Sequence, residues 1–122
     1  MKAVPVLLLF GAAALLGAIL GLEYLRRVRS RPVMIGMHFL LGAAGVEVLV
    51  FLMRGAPDGT VTQFGTLGNT AAAFLVFALF VGVLAPMIGR RSRATMNVAL
   101  FTHVGAAGLG LILLVAWFLG QA

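Results

Sequence analysis

Four runs of apolar residues, at about 4 to 25, 33 to 53, 67 to 88 and 95 to 119, fill most of this 122-residue chain, and the stretches between them are too short to hold a domain. A helix of about 20 apolar residues crosses the hydrocarbon of a bilayer, whereas lipid-exposed strands or loops would leave backbone groups without hydrogen-bond partners. The pattern predicts an all-α integral membrane protein, a four-helix bundle forming a single transmembrane domain over residues 1 to 122. Composition agrees, because 62% of the residues are hydrophobic and 10% charged, against an apolar share of about 45–50% in soluble domains. Cysteine is absent, which excludes disulfides and thiolate metal sites. Any redox role must use a bound cofactor.

The net charge of +6 raises the question of nucleic acid, and the placement of the charges answers it. Arg26, Arg27, Arg29 and Arg31 lie between the first and second runs, Arg90, Arg91 and Arg93 between the third and fourth, and only Lys2 and Arg54 fall on the other side. Basic residues collect in cytoplasmic loops, so seven against two predicts both termini outside and the arginine loops in the cytoplasm, as in a bacterial inner membrane. No clustered basic face with interleaved aromatics is present, so nucleic acid is not an expected partner. The expected surroundings are the lipid bilayer and its anionic headgroups.

The first run resembles a signal peptide in having Lys2 before an apolar stretch, but RRVRSR follows it, so a retained helix is expected. Gly17 and Gly21 make a GxxxG spacing that suits helix packing. Glu23 has Arg26 and Arg27 at i+3 and i+4, which predicts an ion pair along the helix. Residues 54 to 66, RGAPDGTVTQFGT, read as a short external loop. Phe74, Phe77 and Phe80 form a stripe toward neighbours or lipid, and Pro86 stands close enough to its helix end to cost few backbone bonds. RSR at 29 to 31 and 91 to 93, and GAAG at 42 to 45 and 105 to 108, suggest a parallel repeat of two helical hairpins.

The chemistry-bearing residues are His38 in the second run and His103 in the fourth. An ionisable side chain at such depth costs roughly 2.5 kcal/mol or more unless it has a partner, so each histidine needs a reason. His38 lies seven residues beyond Arg31 and His103 ten beyond Arg93, which at about 1.5 Å per residue puts them within roughly 5 Å of one depth. On the His38 face Gly42 and Gly45 follow at i+4 and i+7; on the His103 face Ala107 and Gly110 do so, with Ala106 at i+3 and Ala99 at i−4. These troughs of small residues give the clearance that a flat macrocycle between helices requires. Arg31, at i−7 from His38, is then placed to pair with a propionate.

The helix count and the His38/His103 pair resemble the small four-helix membrane cytochromes b, in which imidazoles from two helices take both axial positions of a haem b. The resemblance implies an electron-transfer protein or haem subunit with His38 and His103 as iron ligands, exchanging electrons with quinone or a partner complex, and belonging to a larger membrane complex or homo-oligomer. Many members carry two haems and four histidines; two histidines allow one haem. Ala99-x-x-x-His103 also resembles the spacing at which light-harvesting helices ligate bacteriochlorophyll, although Met34 stands at the corresponding place before His38.

Other readings stay open at this point. Two histidines that only hydrogen-bond to serine, threonine or backbone groups describe a cofactor-free structural subunit. Small multidrug-type transporters also have four helices and a membrane glutamate, but theirs is in the first helix, where this chain has only Glu23. Glu47 is nine residues after His38, half a turn out of phase, so it is expected on the opposite face with a role of its own. A catalytic nucleophile, hydrolytic triad or phosphate loop is not recognisable.

Overall fold

In a computed structural model, which describes residues 4–55 and 63–121, the chain forms four α-helices: α1 (Val4–Leu25), α2 (Pro32–Arg54), α3 (Gly65–Ile88) and α4 (Arg93–Gly120). All four are long and apolar enough to cross a membrane, and the protein is an integral membrane four-helix bundle. Lys2, and residues 56 to 62 of the expected external loop, lie outside the described residues. The helices match the apolar runs to within two residues, because each run ends where the sequence supplies a backbone stop.

The stops differ in kind. α1 closes through Arg27, which takes a left-handed φ of 59°, while Val28 N donates to Glu23 O at 2.9 Å and Arg27 N to Tyr24 O at 3.1 Å. This pair of bonds satisfies the last carbonyls of the helix. It also undoes the expected ion pair: Arg27 turns out of the helix in its left-handed conformation, and Glu23 keeps a buried Oε2 without a hydrogen-bond partner. α2 starts on Arg31 with Pro32 as its first residue, where a missing N–H costs nothing. α4 starts on Ser92, whose Oγ accepts from Thr95 N at 3.1 Å.

Packing is far more extensive within the hairpins α1–α2 and α3–α4 than between them, where α2 runs along α3 and α1 meets α4 more sparingly. α2 and α4 therefore face each other across a diagonal. Each hairpin closes on a glycine: the Phe10 ring lies on Gly45, with 2.9 Å from its Cε1 to where a Cβ would stand, and Leu75 lies on Gly110 at 2.8 Å on the same measure. The large core side chains, Val6, Phe10, Leu49, Phe64, Leu75, Leu114 and Trp117, cluster in the half remote from the arginine loops. Trp117 stacks on Phe64 at 4.4 Å and 6°. In the arginine half the buried apolar residues are alanines, including Ala85, Ala99 and Ala106.

The two Arg-Ser-Arg segments provide a local test of these boundaries. Ser92→Ala removes a cap and is expected to lower stability by about 1 kcal/mol in a reversible unfolding titration, whereas Ser30→Ala, which precedes an N-cap lacking any side-chain bond, is expected to change it little.

Candidate functional site

An imidazole placed in hydrocarbon must find a hydrogen-bond partner on a neighbouring helix, and both histidines find the same kind. His38 Nδ1 donates to the carbonyl of Ala13 at 2.8 Å, and His103 Nδ1 to the carbonyl of Ala78, also at 2.8 Å. A carbonyl oxygen only accepts, so Nδ1 carries the proton in each ring. In an uncharged ring with Nδ1 protonated, Nε2 keeps a lone pair. A helical carbonyl already accepts from the amide four residues on, and its second lone pair takes the histidine.

That amide belongs to Gly17 in one hairpin and Gly82 in the other. A Cβ at Gly17 would stand 2.9 Å from His38 Cε1, and one at Gly82 would stand 2.8 Å from His103 Cε1. Glycine at i+4 from the accepting alanine is what lets the ring reach the backbone. Gly17 therefore serves His38 rather than a GxxxG contact, while Gly21 faces open space.

The two rings meet across the diagonal, with centroids 5.8 Å apart and planes at 80°. The matched depth expected from the arginine loops is thus found. Among the other expected site residues, Gly42 has open space beside its Cα and Ala107 is half-buried. Gly45 and Gly110 are covered by Phe10 and Leu75, so their small size serves hairpin packing instead of clearance around the imidazoles. Arg31 is exposed at the arginine end of α2. Glu47 is exposed on the far side of α2, as its half-turn offset from His38 requires.

Sequence reasoning missed a polar clasp at the same end. Tyr24 Oη donates to Asn97 Oδ1 at 2.7 Å, joining α1 to α4, and the Arg93 guanidinium sits 5.0 Å from the centre of the Tyr24 ring. A lone tyrosine at a helix end carries no sequence signal for a partner 73 residues away.

Fold and site together define an integral membrane bundle whose interior presents two clamped imidazoles to each other. Comparison with protein families, with characterised proteins and with solved structures finds no match to this chain.

The backing glycines give the test of this geometry. Gly17→Ala and Gly82→Ala must displace an imidazole or a helix and are each expected to cost about 1–3 kcal/mol by unfolding titration in detergent. Gly21→Ala, which meets nothing, is expected to be neutral or slightly stabilising.

Proposed function

We propose that this protein is a membrane electron-transfer protein, or the haem subunit of a larger membrane assembly, with one haem b held between His38 and His103. The paired imidazoles carry the reading. The two rings, one from α2 and one from α4, stand 5.8 Å apart, so His38 and His103 are the residues that would hold one metal-bearing group between these helices. Both Nδ1 atoms are already engaged by backbone carbonyls, the arrangement that fixes the tautomer of a metal-ligating histidine and raises its basicity.

The donor set favours a macrocycle over a bare ion. Among the described residues no third histidine, cysteine, aspartate or glutamate joins the pair, so a tetrahedral ion would lack half its ligands. A haem brings four nitrogens of its own. The alanine-lined interior of the arginine half and the sparse contact between the hairpins suit a wide, flat group. When bound, haem supplies one-electron redox chemistry. The chain's own residues then hold, orient and shield it: His38 and His103 as ligands, Ala13 and Ala78 fixing their rings, Gly42 and Ala107 leaving room. At the arginine end Arg31, Arg93 and the Tyr24–Asn97 pair would receive the charged edge. Quinone or a partner complex would exchange electrons with it.

The test is spectroscopic. Protein purified in mild detergent from a haem-replete host is expected to be coloured, with low-spin bands that sharpen on reduction. His38→Ala and His103→Ala are each expected to remove most of the haem or turn it high-spin, while Glu47→Gln leaves the spectrum nearly unchanged. A colourless protein would overturn the reading and favour a second one, in which the two carbonyl clamps serve only to join helices in a cofactor-free subunit. A green pigment absorbing in the far red would point to bacteriochlorophyll.

The orientation we propose, with the arginine loops in the cytoplasm of a bacterial inner membrane, N-out and C-out, rests on the seven arginines of those loops against Lys2 and Arg54. A reporter active only in the periplasm is expected to work when fused at the C-terminus and to fail in the 90 to 93 loop. The reverse pattern would turn the bundle over.

A further inference from the structure

Glu47 is a polar residue within a membrane helix that the paired histidines leave unexplained. It lies in α2 seven residues before Arg54, about 10 Å inside that end of the helix at 1.5 Å per residue, and it is exposed on the outer surface of the bundle. Acidic residues within membrane helices almost always face the interior or a partner; this one faces neither within the chain. Among the described residues no basic group pairs with it, and Arg54, two turns along the same stripe, is also exposed.

The surface around Glu47 has the spacing of a helix–helix seam. Gly36, Leu40, Ala43, Glu47, Val50 and Arg54 recur at alternating steps of four and three, the repeat with which two helices wrap left-handedly about each other. Leu40 is 64% exposed, and a Cβ at Gly36 would meet nothing. At its far end the seam opens into a groove of about 700 Å³ between α2 and α3, where Val50, Met53 and Arg54 face Asn69, Ala73 and Phe77.

We propose that a second copy of this chain covers this face, pairing α2 with α2 about a two-fold axis along the membrane normal. Such an axis brings residues of equal depth together, so Glu47 meets Glu47. Two carboxyl groups facing each other across the axis can hydrogen-bond to one another, so the pair needs no third group. The nearest exposed residues of α2 on either side of Glu47, Leu40 and Phe51, are apolar. Ala43 and Gly36 on the seam let the backbones approach. The Arg54 side chains end up at the membrane surface, where water separates them.

Because the chain has no cysteine, single cysteines report this contact without background. The purified protein, reconstituted in phosphatidylcholine vesicles and treated with a mild oxidant, is expected to form disulfide-linked dimers through Ala43→Cys on the seam and not through Ile112→Cys, which is equally in lipid but on α4. Adding Glu47→Gln, which keeps donor and acceptor, is expected to preserve the Ala43→Cys cross-link. Glu47→Leu, which suits a lipid-facing position and leaves the fold intact, is expected to reduce it at least fivefold. Equal yields at Ala43 and Ile112, or a yield indifferent to Glu47→Leu, would overturn the proposal; the second outcome is what a lipid or an unrelated subunit on this face would give. The readout is independent of colour, so it stands or falls apart from the haem.

Discussion

The bundle depends on the bond between a histidine Nδ1 and a helix carbonyl, made once in each hairpin. In water such a bond would contribute little, since solvent competes for both groups. In hydrocarbon the alternative is an orphaned polar ring, and the neighbouring helix has only backbone to offer. Accepting the ring has structural consequences. Ala13 and Ala78 must be small enough for close approach, Gly17 and Gly82 must carry no Cβ, and each hairpin must hold its helices in one register over the turns that reach Gly45 and Gly110. The orientation of both imidazoles, and so any chemistry at their Nε2 atoms, follows from those few positions.

Large side chains and small ones divide the interior between them. Away from the arginine loops, Phe10, Leu49, Leu75, Leu114 and Trp117 interlock and carry most of the packing. Toward the loops, alanine and glycine line the bundle, and the two hairpins are held together by the imidazole contact and by the Tyr24–Asn97 bond. One half thus supplies rigidity, while the other presents polar groups in a setting with few bulky neighbours.

The helices were legible in the sequence because hydrocarbon permits little else, and the depth match of His38 and His103 was legible because both are counted from arginines at a membrane surface. The register of the repeat was not. The visible words, RSR and GAAG, recur at steps of 62 and 63 residues, whereas the working positions step from 13 to 78, 17 to 82, 38 to 103 and 45 to 110, all by 65. The words mislead because a short arginine loop and a small-residue run are set by membrane topology and close packing in general. A backbone acceptor has no side chain to announce it, so Ala13 and Ala78 could not be singled out. Gly45 and Gly110 were legible as small residues but not as seats for Phe10 and Leu75, since a trough in one helix does not say what fills it. Glu23 failed for a local reason: pairing at i+4 presumes that the helix continues, and Arg27 ends it.

The common step of 65 residues has a consequence for symmetry. Each hairpin holds a full set of acceptor, backing glycine, histidine and packing pair, so the centre of the bundle is pseudo-symmetric, with one hairpin's imidazole turned to the other's. Tyr24 and Asn97 break that symmetry, for the positions 65 residues away from them are Gly89 and Pro32, and the bond they form has no counterpart on the other side.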